Sequence, residues 1–253
     1  MKKFLNIISY SVLFMAIILL WQLICYKQIV PNFMLPSPIE VSKAFINNFN
    51  LLMNNAGVSL LEAFLGILIS IILAFIISIL MDRYNFIYKF FYPILVITQT
   101  IPTIAIAPLL VLWMGYGIAP KIALIVLVCF FPITISMLGG FKTADVDSIN
   151  LLKAMGASKW QIFKIIKLPY SLNGLMSGLK ISISYAFVGA VIAEWLGGNK
   201  GLGVYMIRAK KSYSYDEMFA IILLIIIISL LAIGIVSVLE RRMLKWKYLK
   251  KEK

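Results

Sequence analysis

The run AIILLIIIISLLAIGIVSVL, residues 220–239, holds twenty consecutive residues without a charge. A helix rising about 1.5 Å per residue crosses a hydrocarbon core of about 30 Å in that length. The other structure that satisfies every backbone group in lipid, a closed β-barrel, alternates apolar and polar residues along each strand, and this run shows no alternation. The spans are therefore helical. Composition agrees: 62% of the 253 residues are hydrophobic and only 13% charged, with a mean hydropathy of +0.98, whereas a soluble domain is nearer half apolar and a quarter charged.

Hydropathy predicts six spans, at 8–26, 58–81, 91–113, 121–141, 171–195 and 217–239. With the N-terminus in the cytoplasm, the inner segments 1–7, 82–90, 142–170 and 240–253 carry sixteen of the 24 Lys and Arg residues. This bias predicts that both termini are cytoplasmic. It also accounts for most of the net charge of +14, so nucleic acid is a poor explanation and anionic lipid beside the basic tail 240–253 an ordinary one. The basic, apolar N-terminus also resembles the start of a signal peptide. No small-x-small cleavage site follows it, and the segment reads as an uncleaved first span. Cys25 and Cys129 fall inside predicted spans and read as buried small residues rather than a disulfide or metal site.

The segment after the first span breaks at Pro31, Pro36 and Pro38, then places Val41, Phe45 and Phe49 four residues apart, the spacing of a short interfacial helix. No internal repeat is visible, so an inverted-repeat secondary transporter gains no support. A single membrane domain covers 1–253.

The longest inner loop, 142–170, holds most of the stretch NLLKAMGASKWQIFKIIKLPYSLNGL, residues 150–175, which has four lysines and no acid. Apolar Leu151, Leu152, Met155, Trp160, Ile162, Phe163, Ile165 and Ile166 alternate with Lys153, Lys159, Lys164 and Lys167. Gly156 costs a helix interior about 1 kcal/mol relative to alanine, so it predicts a bend between two short helices. Pro169 predicts the end of the second, because it lacks a donor and clashes with the preceding turn. The pattern fits an amphipathic helix on the membrane surface and equally a docking helix with aromatic and aliphatic anchors.

The landmark spacing resembles the cytoplasmic signature of bacterial ABC importer permeases, which reads Glu-Ala-Ala, three residues, Gly, nine residues, Ile-x-Leu-Pro. Here Gly156 is followed by nine residues and then Ile166, Lys167, Leu168 and Pro169, while Asn150, Leu151 and Leu152 replace the initial triplet. LPSP at 35–38, QTIPTIAIAPLLVLWMGYGIAPK at 99–121, GLKISISYAFVGAVIAEWLGG at 178–198 and GLGVYM at 201–206 are similar to the nitrate, sulfonate and taurine branch. GYG and AEWLGG…KGLGVYM look closest to its thiamine-precursor pyrimidine subgroup. The resemblance implies an all-α type I importer fold and a homodimer with the pathway at its two-fold axis. It also implies a cytoplasmic ABC ATPase dimer, an extracellular solute-binding protein, and residence in the bacterial inner membrane. It assigns ATPase coupling to Leu152, Met155, Gly156, Ala157, Ser158, Trp160, Phe163, Ile166, Leu168 and Pro169.

The residues themselves argue against an enzyme. No GxxxxGK[ST] loop is present to cradle nucleotide, so no cofactor is expected on this chain and ATP would be used by the partner. With zero histidines, neither H-E-x-x-H zinc binding nor a Ser-His pair is available. GGNKGLG, at residues 197–203, reads as an external turn.

A solute path needs polar groups facing an internal cavity. Span three offers Thr98, Gln99, Thr100 and Thr103 around Pro102 and Pro108; they either line a gate or bond within a merely bent helix. In span five, Ser177, Ser182, Ser184 and Tyr185 precede Glu194, which is either a path residue or an interfacial acid, and Glu62 invites the same two readings. Lys180 is expected to snorkel to the cytoplasmic surface rather than serve a pore. Gly66, Gly178, Gly189, Gly197 and Gly234 are expected to let helices approach closely. An ion-driven secondary transporter and a membrane scaffold remain the rival classes.

Overall fold

The computed structural model describes the backbone of residues 2–31 and 34–244. All regular structure there is helical: α1 (Lys2–Tyr26), α2 (Pro38–Asn47), α3 (Phe49–Arg83), α4 (Asn85–Thr100), α5 (Thr103–Met114), α6 (Ala119–Lys142), α7 (Val146–Ala154), α8 (Lys159–Ile162), a π-turn (Phe163–Lys167), α9 (Leu168–Gly197), α10 (Leu202–Lys211) and α11 (Tyr215–Met243). Four helical stretches, Phe49–Arg83, Ala119–Lys142, Lys159–Gly197 and Tyr215–Met243, are long and apolar enough to cross a membrane, and α4 with α5 makes a fifth if that bent pair is one span. At the chain start, Met15–Tyr26 is a shorter apolar helix within α1. The basic tail from 245 onward lies outside the described residues.

At two prolines the course of the chain differs from the simplest expectation. The third span, expected over 91–113 with a gate or a mere bend at its prolines, is two helices meeting at 103°. Ile101 and Pro102 are extended there, with ψ of 124° and 123°, because proline has no N–H for the ladder and disfavours helix in the residue before it. Pro169, expected to stop a helix, instead stands in the first turn of α9. The chain widens into the π-turn just before it, where the Leu168 N–H reaches back five residues to the Phe163 carbonyl. That slack lets α8 run on into α9 without the proline ring striking the turn below.

Three long helices form the centre. α6 lies between α3 and α9, and the core of Ile125, Cys129, Ile133, Met137, Ile183, Ala186 and Ala190 is sealed among them. Lipid tails are as apolar as leucine, so helices here gain by close van der Waals approach rather than by hiding from water. Glycine makes that approach possible. A Cβ on Gly178 would lie 2.8 Å from both Ile133 Cα and the Pro132 carbonyl, and one on Gly140 would lie 2.8 Å from Ser171 Cα and the Tyr170 carbonyl. Gly140 was not among the glycines picked from sequence, while Gly234, which was, has nothing within 4 Å.

At the end of the bundle opposite Gly156, a buried polar cluster clamps α10 across α3, α6 and α9. Lys121 Nζ pairs with Glu62 Oε1 at 2.6 Å, the side chains being 7% and 2% exposed. Glu194 accepts from Ser59 Oγ and from the Gly203 N–H, both at 2.5 Å, and the Leu202 N–H donates to Ser59 Oγ at 2.9 Å. Asn55 receives the Gly201 N–H at 3.0 Å. The first amides of α10, which have no partner within their own helix, are thus met by side chains of α3 and α9. What the sequence presents as an external turn at 197–203 is the anchored entry to that helix. Farther along α10, Tyr205 donates to Glu217 Oε2 at 2.9 Å. Burial, and then the Glu217 carboxylate that accepts from it, hold its phenol above the ordinary tyrosine range.

Cys25 and Cys129 are buried and free. Lys180 does not run free to the surface: it pairs with Glu240 at 2.5 Å and joins α9 to α11.

Two outcomes follow from this packing. Gly178→Leu has backbone, not flexible side chains, in its way, and should cost about 1–3 kcal/mol of stability, whereas Gly234→Ala should stay within about 0.5 kcal/mol; thermal unfolding in detergent separates them. Lys121→Met leaves the Glu62 carboxylate buried without its cation and should cost about 3–5 kcal/mol, much of it recovered in Lys121→Met with Glu62→Gln; a double-mutant cycle in the same assay reads the coupling.

Candidate functional site

The loop between α6 and α9 is built by local chemistry. Asp145 caps α7, accepting from the Ser148 N–H at 3.1 Å and also from the Ser148 hydroxyl. α7 ends in a Schellman motif: the Gly156 N–H reaches the Lys153 carbonyl at 3.0 Å and the Ala157 N–H reaches the Leu152 carbonyl at 2.9 Å. That motif needs a left-handed residue after the cap, and Gly156 supplies it with φ of +79°. The bend predicted at Gly156 is present. Ser158 then opens α8 with a reciprocal capping box, accepting from the Gln161 N–H at 3.3 Å while its own N–H donates to Gln161 Oε1 at 2.7 Å. Two helices are thereby set at a defined angle with no slack between them.

The loop turns its apolar side chains in two directions. Ile162 and Ile166 are buried, and Phe163 stacks on Trp160 at 5.4 Å and leans on Phe141 of α6 at 6.0 Å. Leu151, Met155 and Trp160 are 62%, 73% and 62% exposed. Leu152 and Ala157 are half-buried beside them, as are Leu168 and Pro169 at the junction with α9. Apolar anchors held rigidly by caps, at the tip of a loop whose root is packed into the bundle, have the form of a docking knob.

The polar residues expected to line a path divide into two groups. Gln99, Thr100 and Pro102 are exposed, and Thr98 and Thr103 are half-buried, on either side of the 103° break. The hydroxyls of Thr98 and Thr100 donate to the carbonyls of Leu95 and Ile97, at 2.7 and 2.8 Å, within their own helix. Ser184 and Tyr185 lie on an exposed stripe of α9 that also holds Ser177, Ile181 and Val188 at helical spacing. α5 packs against α6 and α9, bringing the broken pair and this helix together. Glu194 belongs to neither group: it is 1% exposed, inside the clamp. A cavity of about 600 Å³ lies above that clamp, lined by Tyr116, Lys121, Trp195, Asn199 and Lys200 among others.

Sequence reasoning missed the pairing of Glu62 with Lys121 and that of Asp82 with Lys167. The signal available was opposite charge at similar depth, within predicted spans for Glu62 and Lys121 and in inner segments for Asp82 and Lys167, and without a known packing order it selects no partner. Among the described residues there is no cluster of three metal-ligating side chains.

Comparison with known proteins matches this architecture. The model of the binding-protein-dependent transport system inner membrane component matches residues 66–245. A Haemophilus influenzae protein, provisionally named an ABC transporter permease, is 37% identical over 85% of this chain and 88% of its own. The formylaminopyrimidine transport permease of Halalkalibacterium halodurans is 33% identical over 98% of this chain and 99% of its own. A Bacillus subtilis protein, provisionally named an aliphatic sulfonates transport permease, is 31% identical over 92% and 85%. Among solved structures, a chain of the MetNI methionine ABC transporter in an inward-facing conformation superposes with a TM-score of 0.66 at 18% identity, covering 78% of this chain and 98% of that one. The helix order, the capped loop at Gly156 and these matches converge: the chain belongs to the binding-protein-dependent transport system inner membrane component family, and is a multi-pass permease component of an ABC importer.

Proposed function

We propose that this permease forms half of a translocation pathway as a homodimer, driven by a cytoplasmic ABC ATPase dimer that docks on the Gly156 loop and supplied by an extracellular solute-binding protein. The observation that carries the reading is the capped loop, whose rigid frame presents Leu151, Met155 and Trp160 to a partner. In this reading both termini are cytoplasmic, the chain lies in the bacterial inner membrane, and ATP is bound by the partner alone. Met155, Gly156 and Trp160 form the contact, with Leu152, Ala157, Ser158, Phe163, Ile166, Leu168 and Pro169 holding its shape. Gln99, Thr100, Pro102, Ser184 and Tyr185 face the path, with Thr98 and Thr103 at its edge, and Glu194 serves it only by holding the clamp.

The solute proposed is a formylaminopyrimidine, a thiamine precursor. The support is likeness to the Halalkalibacterium permease along almost the whole of both chains. The Bacillus relative, at a similar 31% identity, favours a sulfonate as the second reading.

Proteoliposomes holding the permease with its ATPase and binding protein decide among these. ATP-dependent uptake of labelled formylaminopyrimidine, with taurine excluded, is expected; the reverse preference establishes the second reading, and uptake that follows an ion gradient without ATP removes the importer mechanism. Gly156 has open space around it, so its requirement is conformational. Gly156→Val should incur about 1–2 kcal/mol of left-handed strain, lowering ATP-driven uptake by about tenfold at unchanged membrane level. Gly156→Asn, which tolerates that conformation, should keep most of it.

A further inference from the structure

Of the four lysines in the loop, Lys153, Lys159 and Lys164 are exposed, whereas Lys167, the last residue of the π-turn, is turned into the bundle. Its ammonium sits between both carboxylate oxygens of Asp82, at 2.9 and 2.7 Å, with the two side chains only 29% and 19% exposed. Asp82 stands one residue before the end of α3. A single extended residue, Tyr84, with φ of −123° and ψ of 109°, then separates α3 from α4. The ion pair therefore joins the root of the loop to the hinge from which α4 leads to the break at Pro102.

The packing on the two sides of this contact differs. Trp160, Phe163 and Phe141 stack the loop onto α6, and the glycine contacts bind α6 to α9. Those elements are packed as one unit. α4 touches the bundle less extensively than α3, α6 and α9 touch one another, and only Leu95 of α4 is buried. The loop's π-turn is a locally widened segment of the kind that recurs at functional sites.

We infer that the Asp82–Lys167 pair is a positioning contact that passes displacement of the Gly156 loop to the α3–α4 hinge, and so to the polar broken helix. The inference rests on the coupling reading of the loop. Neither residue touches solute or nucleotide; both act through α4.

The test is the ratio of solute taken up to ATP hydrolysed in the reconstituted transporter. Asp82→Asn and Lys167→Gln should each lower that ratio by about fivefold or more, with complex yield and basal ATP hydrolysis retained. The exchange Asp82→Lys with Lys167→Asp should restore it to within about twofold of the wild type. Lys167→Arg should keep the ratio, and it decides the matter if the exchanged protein does not assemble. An unchanged ratio in the single variants overturns the inference. So does a loss of uptake and hydrolysis in equal proportion, which is what a purely structural pair would give. If the wild-type complex itself took up solute without consuming ATP, the coupling reading would fail, an outcome distinct from these.

Discussion

The close contact of α6 with α9 is the constraint on which the remaining structure depends. In a membrane two helices gain little from hiding apolar side chains, so stability comes from the number of atoms brought within van der Waals range. Glycines at 140 and 178 let backbone meet backbone along this seam. Because α9 is continuous with the π-turn and α8, the seam also fixes the Gly156 loop relative to the bundle. α3 packs on the other side of α6 and carries two of the ion pairs, Glu62 with Lys121 in its first half and Asp82 with Lys167 near its C-terminal end.

This division assigns different tasks to polar and apolar contacts. Apolar packing holds the centre, where every buried methyl counts. Among the described residues each buried acid is given a cation or donated hydrogen bonds, as the low-dielectric interior demands. The clamp around Glu194 fixes α10 to α3 and α9, the Glu62–Lys121 pair joins α3 to α6, and the Lys180–Glu240 pair ties α11 to α9. The path candidates near Pro102 and along the exposed stripe of α9 are left outside this network, on surfaces that a partner copy or a cavity can meet.

Several features were legible in the sequence because their causes are local. The bend at Gly156, the two short helices around it and the short helix Pro38–Asn47 each follow from glycine, proline and apolar spacing within about ten positions. The sharpness of the break in the third span and the outcome at Pro169 were not legible for a common reason. A proline removes a hydrogen bond in either case, but whether the chain bends by 103°, as at Pro102, or absorbs the loss in a π-turn, as before Pro169, depends on what packs beside it. Proline at 93, 108 and 132 sits inside helices that continue.

By itself, then, the sequence determined that the chain is a helical membrane protein, which segments are apolar enough to span, where the loop bends and which family signature it carries. Each of these rests on composition or on neighbours along the chain. Only the tertiary structure decided that Glu194 is buried among the groups that anchor α10, that the Lys167 ammonium pairs with Asp82, and that Gly140 is a contact point while Gly234 is not. Those facts depend on which helix faces are apposed, and in lipid a uniformly apolar helix has no hydrophobic stripe to announce its inward face.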